Sequence, residues 1–425
     1  MAEAVPVAWG VESPRARYAL DVLLGLLGLV ARDAALGERA LVGYGGAEAV
    51  VRIPAGLQRD WDDPDPSPDR VRGLPDDLLY ATYACLTAPW ERVDPRNEVG
   101  TPIAAGGWLD RHGLLEEPLV HRYAEELGSR LGKPPRREPS LVLTHDVDEH
   151  FAHLFGVRES LTRLRRELPR PSAARRAAGL AKRLTRTSRP DPNDRWDEWR
   201  DLVRDWGGRA TFFAASYNLF DTGAGRFDVA YDVRRPEVAR ELRGLADAGG
   251  EVGIHFSLQA RRSAEQVRRE RDRLEVALDL EVRSSRHHWW ALGEAPWRTL
   301  RFHAEAGMRV DCSFGFNDRA GFRRGIAAPF RPFDPEREEV LPILCLPTTA
   351  MDRAVSDLGT LERLLEACRE VGGALVLDWH AHVLNPAAMP GARETLLGVV
   401  RLAREHGVPL RTPLELCDAA YDRAA

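Results

Sequence analysis

The chain is nearly without lysine. Of its 60 basic residues only Lys133 and Lys182 are lysines, a bias that reads as codon usage in a GC-rich bacterial genome and not as a choice imposed by function. Cysteine is also sparse: the thiols at 85, 312, 345, 368 and 417 are odd in number and no two stand at C-x-x-C spacing. That scatter argues against a disulfide framework or a thiolate zinc clip, and it fits a reducing compartment. No apolar run is long enough for a bilayer, since the longest, Ala19 to Ala31, falls short of about 20 residues and contains Asp21. The N-terminus, Met1-Ala-Glu-Ala-Val-Pro, lacks the positive start and apolar core of a signal peptide. The expectation is a cytoplasmic protein. Positive charge is not in excess either: a net charge of −5 and an isoelectric point near 6.2 exclude a strongly basic nucleic-acid-binding domain.

What is present suits an ordinary globular protein. With 425 residues, 44% of them hydrophobic, the chain can bury a sizeable core, and because one α/β barrel absorbs about 250 residues, two domains are expected. Residues 1–135 read as a small α/β domain, with helical periodicity from Arg17 to Val30, short strands at 41–44 and 49–53, and helices at 76–88 and 119–131. The proline-rich stretch 132–140 reads as a linker. In the second domain, 136–425, helices alternate with apolar segments at 141–144, 210–214, 251–255, 309–311, 339–344 and 375–379. That alternation predicts a parallel sheet covered on both faces, with chemistry at the C-terminal strand ends. One arginine-rich segment, at about 157–190, interrupts the pattern. It reads either as a solvated helical insertion or as a peripheral contact for an anionic glycan, a nucleotide-linked sugar or a membrane surface.

Three of the strands end in reactive side chains. The first, Leu141-Val-Leu-Thr-His145-Asp146-Val-Asp148-Glu-His150, offers two carboxylates two residues apart, so one can hold a metal while the other acts as base. The same acids could instead cap a helix or pair with arginines. The second, Glu251-Val-Gly-Ile-His255, and the third, Ala374-Leu-Val-Leu-Asp378-Trp379-His380-Ala-His382, each deliver an imidazole. A lone histidine is ordinarily a satisfied polar group, but coincidence at three strand ends favours a divalent metal site.

The ordered set Thr144-x-Asp146-x-Asp148, Ala210-Thr-Phe-Phe213, Glu251-x-Gly-x-His255, Ser285-Arg286-His287-His288, Val310-Asp311-Cys-Ser313 and Trp379-His380 resembles the polysaccharide deacetylases of the NodB-homology class, carbohydrate esterase family 4. The likeness spans roughly residues 140–415. Gly321 to Asp334 and the first 135 residues look like a bacterial surface-polysaccharide branch of that family. The resemblance implies a distorted (β/α) barrel preceded by a small α/β domain, and a metal-dependent hydrolase that removes acetyl groups from a polysaccharide or its nucleotide- or lipid-linked precursor. It further implies Asp146 as general base, Asp148 and His255 as metal ligands, Arg286 as the residue that orients the base, and His380 as general acid. Trp289 and Trp290 are candidate sugar-stacking walls, with core packing the alternative, and Asp311 joins them as a candidate substrate contact.

Two departures bear on the metal, for which zinc is expected. Val147 separates Asp146 from Asp148 where the family has adjacent aspartates, so either acid could be the ligand. Gln259 stands where a second histidine is usual, and a glutamine carbonyl is a poor zinc ligand. His145, His288 or His382 could supply the missing imidazole, and His288 is preferred. If none does, the chain is a decayed deacetylase barrel that binds glycans. A different hydrolase on a similar barrel, cleaving another C–N bond, is the third reading.

Overall fold

The computed structural model describes residues 2–55, 60–135, 138–148, 192–222, 228–229, 231–355 and 357–424. The arginine-rich segment and His150 lie outside the described residues.

The N-terminal sheet holds four parallel strands in the order β2-β1-β3-β4: β1 (Glu3–Trp9), β2 (Leu29–Asp33), β3 (Val42–Tyr44) and β4 (Val51–Ile53). Helix α1 (Pro14–Leu26) follows β1, with Ser13 as a cap that accepts from the Ala16 amide and proline in its first turn. The helix expected to reach Val30 stops four residues earlier. Gly28, at φ +72°, reverses the chain there, and Leu29 onward pairs with β1. Strand β1 itself is disguised in the sequence by Pro6, which has no N–H to give a ladder. Helix α2 (Leu78–Thr87) is buried from Leu78 through Leu86, which explains an apolar sequence without a polar stripe, and α3 (Leu119–Leu131) packs beside it.

The second sheet begins at β5 (Ser140–Val147) and curls into a distorted (β/α) barrel. Its other strands are β6 (Thr211–Ala214), β7 (Glu251–Phe256), β8 (Ser284–His287), β9 (Val310–Asp311), β10 (Leu344–Cys345), β11 (Ala350–Met351), β12 (Ala374–Asp378) and β13 (Leu410–Arg411). All pairings are parallel, in the order β10-β9-β8-β7-β6-β5-β12-β11, with β13 added to β5. Residues 346–349 bridge the opening between the two edges, where the Thr348 amide donates to the Phe314 carbonyl and the Thr349 amide to that of Val376. The expected strand at 339–344 is broken: Glu339–Val340 pairs with Phe333–Asp334 in a small hairpin, and only Leu344 and Cys345 reach the barrel.

Alternation along the strands divides the barrel into an outside and a lumen. Leu141, Leu143 and Val147 belong to the large core under the helices, whereas Val142, Phe213, Val310, Cys312, Leu344, Leu346 and Val376 form a separate apolar cluster. Cys417, Leu414 and Leu416, on the C-terminal helix α10 (Pro413–Ala424 when the barrel helices are numbered in order), complete that cluster and floor the lumen. All five cysteines are free thiols and buried. Among the described residues, no helix is long and apolar enough to cross a membrane.

The N-terminal unit is tied to the barrel by a buried ion cluster. Glu91 pairs with Arg323 at 2.8 Å and with Arg324 at 3.1 Å, and the Asp318 carboxylate accepts from the amides of Ala104 and Ala105 at 2.8 Å each. Burial would raise the Glu91 pKa, but the two guanidinium groups hold it below its ordinary value. Deleting the acid strands two buried cations. Glu91→Ala is therefore expected to lower stability by about 3–5 kcal/mol, read from the urea midpoint by tryptophan fluorescence. A loss under about 1 kcal/mol, the range of exposed pairs, would show that the cluster does not hold the two parts together.

Candidate active site

The C-terminal end of β5 starts the site. On a strand residues two apart share a face, so Asp146 and Asp148 both turn toward the lumen mouth while Val147 packs outward. The inserted valine thus keeps the two acids together. His145 faces the other way, among Trp199, Trp206 and Phe212, with its Nδ1 2.7 Å from the Trp379 carbonyl; burial pushes its pKa down to about 4. It is not near the metal candidates.

Arg286, on β8, stands wholly buried in the lumen with every donor group engaged. Nη1 reaches Asp146 at 2.8 Å and Asp378 at 3.1 Å, Nη2 donates to the hydroxyls of Thr144 and Thr348 at 2.8 and 2.9 Å, and Nε donates to the Cys312 carbonyl at 3.2 Å. One guanidinium between two carboxylates favours one ionised acid. Burial and the neighbouring Asp146 drive the Asp378 pKa well up, whereas Asp146, which burial alone would also raise, is held below its ordinary range by Arg286 and His255. Asp146 is then the charged member, and its Oδ2 lies 3.5 Å from His255 Nε2.

A second group opens toward solvent. Asp148 Oδ1 is 3.3 Å from His255 Nε2, and Asp148 Oδ2 is 3.4 Å from His288 Nε2. One ligand atom from each of these three side chains lies within 4.8 Å of the others. Both imidazoles are aimed through their far nitrogens, His255 Nδ1 lying 3.3 Å from the Arg286 carbonyl and His288 Nδ1 3.4 Å from Asp228 Oδ1. His255 Nε2 and Asp148 Oδ1 are buried yet make no hydrogen bond. Two imidazoles and a carboxylate with unengaged atoms converging on one point fit a divalent ion with an open position. Burial opposes charge on His288, but Asp148 and Asp228 lift its pKa to about 10, so binding an ion there would release a proton.

Gln259, at the position of the expected second histidine, takes no part. Its side-chain amide donates to the Thr222 carbonyl and its backbone amide to Ser257 Oγ. A second imidazole stands on the strand next door, just past β8, where Arg286 and His288 share one face and His287 points away beside His303. His382 stays outside both acid–imidazole groups, its ring 5.4 Å from that of His380.

His380 follows β12. Its Nδ1 is 3.0 Å from each oxygen of Asp352, whose Oδ2 also accepts from the His380 amide at 2.6 Å, and its Nε2 points to Asp148 at 3.5 Å. Burial would lower its pKa, but Asp352 and Asp378 raise it well above the usual imidazole value. That shift favours the protonated ring, whose Nε2 faces the mouth. Asp148, His288 and His380 are the site members that solvent reaches, with 16%, 12% and 7% of their side chains exposed.

Two substrate candidates are corrected by the structure. Asp311 is buried, and its carboxylate is taken up by Ser285, Ser313 and His303, which leaves it nothing for a sugar. Trp290 is 2% exposed and belongs to the interior. Trp289 is half-buried, its ring 6.0 Å from that of His288, and remains at the rim. Both tryptophans have positive φ, +59° and +52°, a backbone state that costs on the order of 1–3 kcal/mol for a bulky residue. Asp228 and Asp352 went unrecognised in the sequence. Asp352 sits after a two-residue strand too short to register, and Asp228 belongs to a connection with no periodicity.

No family model matches the chain, and no curated protein does. Solved structures similar to it include polysaccharide deacetylases and members of carbohydrate esterase family 4. A Mycobacterium smegmatis protein assigned to the polysaccharide deacetylases is 16% identical, with a TM-score of 0.44 over 68% of this chain and 93% of that one. The polysaccharide deacetylase of Bacillus cereus is 9% identical, with a TM-score of 0.33 over 65% and 92%. A family 4 pseudoenzyme of Bacillus anthracis is 13% identical, with a TM-score of 0.32 over 66% of each chain.

The relocated imidazole is open to a direct comparison. His288→Ala is expected to weaken zinc affinity by more than about a hundredfold, beyond the effect usual for an outer-shell residue, while Gln259→Ala changes it little. Chelator competition measures both, and equal losses in the two variants would remove His288 from the ligand set.

Proposed function

We propose that the chain is a metal-dependent carbohydrate deacetylase that acts on an acetylated sugar of a polysaccharide or of its nucleotide- or lipid-linked precursor. The observation that carries this reading is the juxtaposition of an arginine-held aspartate and an aspartate-held histidine across a three-ligand metal candidate. Asp148, His255 and His288 would hold the ion, with zinc best suited to two imidazoles and one carboxylate. Once bound it supplies Lewis-acid polarisation of the acyl carbonyl and a water acidified toward neutrality.

The remaining work belongs to the protein. Asp146, kept ionised by Arg286, accepts the proton of the attacking water on Oδ2, the oxygen that faces the metal ligands. Arg286 fixes the carboxylate in that orientation through a lattice of five contacts, so little reorganisation accompanies the transfer. His380 then donates from Nε2 to the departing amine or alkoxide, while Asp352 holds its tautomer and stabilises the cation beforehand. Trp289 offers an indole face at the rim for a sugar ring. The third ligand candidate, His288, favours this reading over a decayed glycan-binding barrel.

The test is acetate release from N- and O-acetylated sugars and nucleotide sugars by the zinc-loaded chain. Asp146→Asn keeps the shape and removes the basic lone pair, so turnover is expected to fall by at least about a hundredfold with zinc still bound. Undiminished turnover in that variant would exclude Asp146 as the base, and zinc binding without acetate release on any of these sugars would favour another hydrolase chemistry.

A further inference from the structure

The N-terminal unit touches the barrel beside the His288 corner. Thr101, 1% exposed, donates its hydroxyl to the Trp289 carbonyl at 2.9 Å. Trp289 directly follows the ligand candidate His288, and both it and Trp290 have left-handed backbones. Such a turn persists only where its surroundings over-determine it. Trp290 is held from behind, because its ring lies against Gly315, where an added Cβ would come within 2.6 Å of the indole Cζ3. The Gly315 carbonyl accepts from Arg323 Nη1 at 2.9 Å, and Arg323 is anchored by Glu91 of the N-terminal unit. Trp289 is held from the front by the Thr101 hydroxyl.

The segment that carries Thr101 is itself stiff. Asn97 Oδ1 accepts from the amides of Val99 and Thr101 at 3.1 and 2.9 Å, and Asn97 Nδ2 donates to Asn317 on the barrel at 3.2 Å. The Val99 carbonyl receives Arg261 Nη1 at 3.2 Å. Two barrel side chains therefore grip the loop while its hydroxyl grips the turn.

We propose that Thr101 is a positioning residue, through which the N-terminal unit holds the left-handed Trp289–Trp290 turn and so aims His288 at Asp148 and His255. The proposal rests on the metal-site reading for its functional consequence, but the brace itself does not need a metal. It makes residues 97–101 a working part of a site whose other members all lie on the barrel.

The experiment uses the full chain and compares Thr101→Val, which keeps the shape and loses the donor, with Thr101→Ser, which keeps the donor. Zinc affinity by chelator competition and hydrogen–deuterium exchange of the metal-free peptide spanning 286–292 are both read. Thr101→Val is expected to weaken zinc by about tenfold, the size seen when an orienting partner is lost, and to speed exchange in that peptide, with Thr101→Ser near wild type in both. Asn97→Ala, which loosens the loop without touching the hydroxyl, moves both readouts in the same direction and serves if Thr101→Val folds poorly. A purely structural role would lower the melting temperature of Thr101→Val and leave zinc affinity unchanged, and that result overturns the proposal. Zinc binding to neither wild type nor variant would sink the metal reading instead, and unchanged exchange at 286–292 would then overturn the brace independently.

Discussion

A guanidinium without water must be surrounded by its own partners, and Arg286 imposes that demand on the whole barrel mouth. Its contacts come from β5, β12, the residue after β9 and the strap that bridges the barrel opening. Strands that are distant in sequence are thereby forced to present acceptors to one point. The Arg286 guanidinium also lies over the Phe213 ring, 4.6 Å from its centroid, which marks the boundary between the apolar lower lumen and the polar upper one. An unpaired cation here would be costly, so the acids and hydroxyls around it are structural requirements before they are chemical ones.

That demand explains why two carboxylates can sit side by side. Asp146 and Asp378 share one positive partner, and the balance is met when Asp378 carries a proton and Asp146 a charge. On the far side, Asp148 faces three imidazoles and, among the described residues, no arginine. The mouth is thus divided between an acid held by a permanent cation and an acid surrounded by groups that exchange protons or bind metals. The two aspartates, alike in spacing, thus differ in their partners.

The parts of the fold legible in the sequence are those where one local signal dominates. The β5 run from Leu141, helix α3 and the strand from Ala374 carry unbroken apolar patterns and appear where expected. Strand β1 was hidden by Pro6, and β2 by an apolar stretch continuous with α1, because helix and buried strand look alike over four or five residues. The motif histidines and aspartates were legible because they fall at strand ends. Asp352 and Asp228, their orienting partners, act only through tertiary proximity, which no spacing encodes. Asp311 and Trp290 show the reverse error: reactive or aromatic side chains in a motif whose outward turn commits them to the interior.

The floor of the lumen has a consequence for traffic. Cys417 and its neighbours Leu414 and Leu416 stopper the barrel from below, packed on Val142, Val310 and Val376. The vessel is a blind cup. Among the described residues, the lower lumen is filled with apolar side chains, so Asp148, His288 and His380 meet solvent from the upper end.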